Sequence, residues 1–291
     1  MTAADQTSDS PLVLTDYFIP GLLAGQTAFV TGGSRGLGLV IARCFASLGA
    51  SIAICGRSPE HLEAAQAEIE SVGAEVATYQ ADVRNLPAIE DAFGECADRV
   101  GPASIVVCAA AGNFLTEARL MSSNAFRAVV EIDLLGTFHA AKAAFPQLSQ
   151  TRGSLIFISA GQSTSPFALQ SHVGAAKAGI DNLMRNLALE WGPYGIRANS
   201  IVPGPIEDSE GMRRLAQGSG ADVWNDSTAL GRFTKPEDIA AMAVVLASPL
   251  GRCITGARIA VDGGLDLSGF GLVNRAIYHP ELTRPTAKET S

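Results

Sequence analysis

The run Ala28-Phe29-Val30-Thr31-Gly32-Gly33-Ser34-Arg35-Gly36-Leu37-Gly38 leads from a short apolar segment through a glycine-rich turn into an amphipathic stretch from Leu37 to Leu48. Glycines at a strand-to-helix crossing allow backbone N–H groups to approach a pyrophosphate, and the helix N-terminus behind them adds a favourable dipole. A tight turn needing positive φ would also select glycine. The strand–turn–helix setting is what favours the phosphate-binding reading.

The same alternation extends outward from this point. Ser51 to Cys55, Val76 to Tyr79, Ile105 to Cys108, Leu155 to Ile158, Ala198 to Val202 and Arg258 to Val261 read as further short apolar strands. Between them fall helical patterns: Pro59 to Val72 with Ser58 as N-cap, Pro87 to about Val100, Asn124 to Leu148, His172 to Trp191, a piece around Glu210 to Leu215, and Pro236 to Ala247. Apolar strands alternating with helices predict one doubly wound parallel α/β sheet covered on both faces. The expected organisation is an arm over residues 1–24, a single domain over 25–265 and a tail over 266–291.

Composition narrows the function classes. The 291 residues carry 21 Lys and Arg against 29 Asp and Glu, a net charge of −8, with no basic run. That excludes a nucleic-acid footprint, so an anionic ligand has to be met by a few well-placed arginines. The longest apolar runs, such as Ile239 to Ala247, are too short for membrane insertion, and no basic-then-apolar leader pattern opens the chain. Five cysteines without a C-x-x-C pair predict a reducing cytoplasm and no metal site.

The spacing T-G-x-x-x-G-x-G over Thr31 to Gly38 resembles the short-chain dehydrogenase/reductase superfamily, and the likeness runs from about Gln26 to Gly264. It implies a nicotinamide dinucleotide held by Gly32, Gly33, Ser34, Arg35, Gly36, Leu37 and Gly38. It also implies adenine contacts at Asp82 and Val83, and a loop beside the nicotinamide at Pro203, Gly204 and Ile206. The end of the second strand, where NAD users commonly carry an acid, holds Gly56 followed by Arg57. Arg57 and Arg35 without a carboxylate suit a 2′-phosphate, so NADPH is the expected cofactor.

Most of the superfamily reduces carbonyls with Ser, Tyr and Lys. Here Lys177 stands in Gly174-Ala175-Ala176-Lys177, Val173 occupies the tyrosine position and Ala160 the serine position. Neither Val nor Ala transfers a proton, which disfavours ordinary ketone reduction on chemical grounds. Ser159 is one position off, which reverses a side chain along a strand. His172 reads either as an improvised acid or, as favoured here, as a surface or helix-start histidine. Asp133 replaces the asparagine usual for the superfamily, among Ile132, Leu134 and Leu135. An acid in such surroundings needs a partner, either Lys177 or backbone groups.

Ala111-Gly112-Asn113-Phe114, Ser123-Asn124-Ala125-Phe126, Leu189-Glu190-Trp191-Gly192-Pro193 and Pro203-Gly204-Pro205-Ile206 together resemble 2,4-dienoyl-CoA reductases, most of all the peroxisomal type. The resemblance implies an acyl-CoA substrate and catalytic roles for Asp133, Lys177 and Asn113. It also implies an acyl site at Phe114, Ser122, Ser123 and Asn124, and CoA contacts at Arg57, Arg84 and Arg214. The chain ends Lys288-Glu289-Thr290-Ser291 rather than in a peroxisomal signal, which agrees with the cytoplasmic expectation. Pairing of the two long helices into a homo-oligomer, a dimer or tetramer, is a further implication. Two rivals stay open: a ketone or β-ketoacyl reductase, and a non-catalytic NADP(H)-binding protein.

Overall fold

A computed structural model describes residues 13–206, 209, 212 and 221–270. Of the helix expected around Glu210 to Leu215, Met212 falls among these residues; Arg214 and the rest of it lie outside them, as does the tail beyond 270.

Seven strands form one parallel sheet: β1 (Thr27–Thr31), β2 (Ser51–Gly56), β3 (Val76–Gln80), β4 (Ile105–Cys108), β5 (Ser154–Ile158), β6 (Arg197–Pro203) and β7 (Arg258–Val261). Their order is β3-β2-β1-β4-β5-β6-β7, so the direction of winding reverses between β1 and β4. In open parallel sheets that switch point opens a crevice at the carboxyl ends of the strands.

The covering helices are α1 (Gly36–Ser47), α2 (Pro59–Glu70), α3 (Leu86–Arg99), α4 (Ser123–Val130), α5 (Gly136–Thr151), α6 (Ser171–Trp191), α7 (Ala221–Ser227) and α8 (Pro236–Ala247). The central strands β1 and β4 are buried at every position, because helices cover both faces. Alternation then sends Phe29 to one face and Val30 to the other. Phe29 stacks on Phe93 of α3 with ring centroids 4.0 Å apart, in a layer shared with Ala140 and Met184. Val30 joins Ile41, Phe45 and Val244 in the opposite layer, to which Leu14 and Leu23 also belong. Ser58 caps α2 as expected, its Oγ accepting the His61 N–H at 3.3 Å.

One departure from the sequence expectation matters for the site. The helix predicted from Asn124 to Leu148 is not continuous: a π-helical turn over Glu131–Leu135 separates α4 from α5. Such wide turns concentrate at functional positions. Here it carries Asp133 inward, where the Gly112 N–H donates to its Oδ1 at 2.7 Å. Gly136 follows directly; a Cβ there would lie 2.5 Å from Val83 Cγ2, so the closing residue has to be glycine for the helix to pack on the β3–α3 loop.

Candidate active site

The turn after β1 is shaped by the absence of side chains. Gly32 has φ +68°, and a Cβ there would lie 2.8 Å from Ala110 N and Cα, in the segment leaving β4. A Cβ on Gly33 would lie 2.6 Å from Ile54 Cγ2, and one on Gly38 would lie 2.5 Å from the Gly32 carbonyl oxygen. Gly36 also has positive φ (+55°), but the space beside it is open. Ser34 lies against Gly56, where a Cβ would come 2.7 Å from Ser34 Oγ. Glycines are thus forced on the inner side of the turn and the outer side is left clear, as a cradle for a phosphate group requires.

Around the cradle, Arg35 precedes α1 and Leu37 enters it, while Arg57 is exposed just beyond β2. Asp82 and Arg84, expected at separate ligands, are joined at the end of β3: Arg84 Nη2 lies 2.6 Å from Asp82 Oδ2, and Nε donates to Oδ1 at 3.0 Å. The bond from Arg84, with Arg57 also contributing, lowers the Asp82 pKa from its ordinary value. Val83 is buried, and its carbonyl contacts His139 Nδ1 at 2.8 Å. Beyond β6, the Thr234 N–H donates to the Pro205 carbonyl at 2.8 Å, and Ile206 bridges Thr234. A Cβ on Gly204 would lie 2.6 Å from Thr234 Oγ1, so the Pro203–Ile206 loop is held close.

Lys177 and Asp133 come together although 44 positions separate them in the chain. Lys177 Nζ lies 3.2 Å from Asp133 Oδ2 and donates to the Ile158 carbonyl at the end of β5 at 3.0 Å. Asp133 is fully buried, and the Lys177 side chain is only 7% exposed. Both partners proposed for Asp133 by its sequence surroundings are therefore present, the lysine on Oδ2 and a backbone N–H on Oδ1. The ion-pair contact on Oδ2 is not aligned as a hydrogen bond, so this oxygen keeps acceptor capacity. The contacts follow from the π-turn, the β4–α4 loop, the end of β5 and α6 converging at the carboxyl edge of the sheet.

No tyrosine among the described residues approaches this pair. Val173 is buried with Val129 and Ala176. Tyr79 packs on Phe29, and burial pushes its hydroxyl up to about 12. Tyr17 and Tyr194 are exposed, and Tyr278 lies outside the described residues. Ser159 is buried with its Oγ unpartnered, while Ala160 stands at the expected serine position.

Sequence reasoning did not find the residues that support Asn113. Gln170, 1% exposed, donates from Nε2 to Asn113 Oδ1 at 2.7 Å and to the Phe114 carbonyl at 3.4 Å. His172 corrects an expectation: it does open α6, but it is completely buried rather than on the surface. Its ring packs on Phe114 with centroids 4.3 Å apart. Only tertiary packing decides this, so the local pattern held no signal for it. Of the expected acyl-site residues, Ser122 caps α4, its Oγ accepting the Ala125 N–H at 3.1 Å, while Ser123 and Asn124 are exposed in the first turn. Phe167 stacks on Trp224 of α7 at 5.8 Å.

Over residues 32–266 the chain matches a family model described as enoyl-(acyl carrier protein) reductase. It is 40% identical over 263 residues to a peroxisomal 2,4-dienoyl-CoA reductase, (3E)-enoyl-CoA-producing, of Saccharomyces cerevisiae, covering 89% of this chain and 90% of that one. It is 38% identical over 249 residues to a probable 2,4-dienoyl-CoA reductase, (2E)-enoyl-CoA-producing, of Bacillus subtilis, with coverage of 84% and 98%. Among solved structures, carveol dehydrogenase from Mycobacterium avium in complex with NAD superposes with a TM-score of 0.80 at 26% identity, covering 85% of this chain and 99% of that one. A short chain dehydrogenase from Bacillus anthracis gives 0.77 at 36% identity, with 82% and 96% covered. The chain belongs to the short-chain dehydrogenase/reductase family. Within that family it is an oxidoreductase, and its curated relatives at about 40% identity are reductases of dienoyl thioesters.

Proposed function

We propose that the protein reduces 2,4-dienoyl-CoA thioesters to 3-enoyl-CoA with NADPH. The observation that carries this reading is the buried Lys177–Asp133 contact of 3.2 Å, in a site whose tyrosine position holds Val173. The names of the yeast and Bacillus relatives support the substrate class. The glycine cradle suits a dinucleotide, and Arg57 and Arg35, without an acid after β2, suit a 2′-phosphate on it.

In this reading Gly32 to Gly38 meet the pyrophosphate, Asp82 and Val83 the adenine, and Pro203, Gly204, Ile206 and Lys177 the nicotinamide end. Bound NADPH supplies a hydride to the δ carbon of the dienoyl group. Negative charge then reaches the thioester oxygen, where the Asn113 amide, steadied by Gln170, donates a hydrogen bond. Asp133 and Lys177 hold a water that breaks one O–H bond to protonate the α carbon; Lys177 returns a proton to the hydroxide left behind and is itself reprotonated from solvent, which supplies the one proton the net reaction consumes. The proton ends on carbon and no alcohol forms, so the tyrosine and serine are dispensable. Phe114, Ser122, Ser123 and Asn124 border the acyl chain, and Arg57, Arg84 and Arg214 meet the anionic CoA. An acidic protein thereby binds an anion through local charge.

Exposed apolar side chains, Leu135 in the π-turn, Phe138 on α5 and Leu189 on α6, support a homo-oligomer. All five cysteines are unbridged, in keeping with a reducing compartment such as the cytoplasm. No helix among the described residues is long and apolar enough to cross a membrane. The test is NADPH oxidation with 2,4-hexadienoyl-CoA against a matched β-ketoacyl-CoA. Turnover of the first alone is expected; turnover of the second alone selects a ketone reductase, and NADPH binding without either selects a non-catalytic member.

A further inference from the structure

Buried polar groups in folded proteins are almost always hydrogen-bonded, and an exception asks for a reason. His172 is such an exception. It is 0% exposed, and neither Nδ1 nor Nε2 has a hydrogen-bond partner. Its ring packs on Phe114, which itself packs against the apolar cluster of Val129, Val173 and Ala176. For packing alone, a phenylalanine would fill the same space against Phe114 without desolvating two nitrogens.

A second orphaned atom belongs to the same neighbourhood. Asp133 Oδ2 is buried and accepts no aligned hydrogen bond, although Lys177 Nζ neutralises it at 3.2 Å. His172 and Lys177 lie on the same helix, α6, and His172 packs on Phe114, two residues from the Gly112 N–H that holds Asp133 Oδ1. Polar sites of this kind are where proteins hold ordered water, which needs two to four polar partners.

We propose that His172 is a positioning residue for the reaction, one ring nitrogen hydrogen-bonding the water that Asp133 Oδ2 and Lys177 hold for protonation of the substrate carbon. A water fixed by three side chains has its remaining O–H directed at one point, where two would leave it free to swing. The imidazole suits this task because burial lowers its pKa from the ordinary histidine value, keeping it neutral near pH 7 with one donor and one acceptor nitrogen. The Asp133 carboxylate and the Phe114 carbonyl pull in the opposite direction, the latter without the alignment of a hydrogen bond. His172 itself neither gains nor loses a proton in the net reaction.

The inference rests on the dienoyl-CoA reading, and the experiment separates the two. Steady-state turnover of 2,4-hexadienoyl-CoA is measured for the wild type, His172→Phe, His172→Gln and His172→Asn, with NADPH affinity and thermal midpoint for each. His172→Phe keeps the ring against Phe114 and removes both nitrogens. Its kcat is expected to fall on the order of 10- to 100-fold. Its NADPH affinity is expected to stay within about twofold and its thermal midpoint to be no lower than that of the wild type. The better of the two amides, which return a polar atom near one nitrogen or the other, is expected to recover most of the lost rate. Wild-type kcat in His172→Phe would reduce the histidine to packing and overturn the proposal. So would a loss in His172→Phe accompanied by a falling thermal midpoint and weaker NADPH binding, or failure of both amides to recover any rate. A wild type that turns over β-ketoacyl-CoA and not the dienoyl thioester overturns the underlying reading, and the proposal with it.

Discussion

The glycine turn after β1 and the Asp133–Lys177 pair both lie at the carboxyl edge of the sheet, yet they are built on opposite physical terms. The turn is local in sequence and defined by missing atoms: one added methylene at Gly32, Gly33 or Gly38 collides with backbone or with Ile54. The pair is assembled from Gly112, Asp133, Ile158 and Lys177, far apart in the chain, and rests on charge and hydrogen bonds away from bulk solvent. The first region is therefore vulnerable to an added side chain and the second to a deleted charge. Binding and chemistry should then fail separately.

The largest expected separation comes from Asp133→Asn. The amide can still accept the Gly112 N–H but no longer balances Lys177. Turnover of 2,4-hexadienoyl-CoA should fall by roughly 100- to 10,000-fold, with NADPH affinity little changed on titration. Near-normal kcat would remove Asp133 from the chemistry. Deleting the acceptor as well, in Asp133→Ala, leaves the ammonium uncompensated in the interior and should destabilise the fold by about 3–5 kcal/mol in urea unfolding.

Gly32→Val is the complementary break. Its φ of +68° and the 2.8 Å approach to Ala110 leave no room for a branched side chain. NADPH binding should weaken by on the order of 100-fold, a loss equilibrium titration will register. Retention of normal affinity would mean that this turn does not approach the dinucleotide.

Arg57→Ala sharpens the comparison within the binding half. The exposed guanidinium should matter only to a 2′-phosphate, so NADPH affinity is expected to drop about tenfold and NADH affinity by less than about twofold. Equal losses for both cofactors would reverse that assignment.

The smallest effect is on stability. Burial depresses the His172 pKa in the folded chain. Below about pH 6.5 the unfolded chain takes up a proton that the folded chain does not. The stability associated with His172 is thus fully present above that pH and declines as pH falls, by at most about 1.4 kcal/mol per pH unit. Urea unfolding at pH 7.5 and 5.5 should show a smaller acid loss for His172→Phe than for the wild type. Identical losses would trace the acid sensitivity to other groups.

The layered fold was legible because β1 to β7 are short, apolar and separated by helix signals such as Ser58-Pro59 and the proline opening α8. Asp133 and Lys177 were legible as chemistry, since an acid among Ile132, Leu134 and Leu135 has to find a partner. What escaped was geometry set at long range. The π-turn over Glu131–Leu135 leaves the apolar spacing nearly helical, so nothing in the pattern announces it. The burial of His172 depends on Phe114 arriving from another loop, and the Gln170–Asn113 bond spans 57 positions. The seven residues of α7 are too few and too polar to show a period.

Asp133 and Lys177 act as one unit only if their losses do not multiply. The decisive measurement is kcat on 2,4-hexadienoyl-CoA, at saturating NADPH, for Asp133→Asn, Lys177→Met and the double variant. A double variant no slower than the slower single is the expected result. A double loss equal to the product of the two single losses, or an Asp133→Asn enzyme running at wild-type speed, would contradict a shared role in delivering the proton.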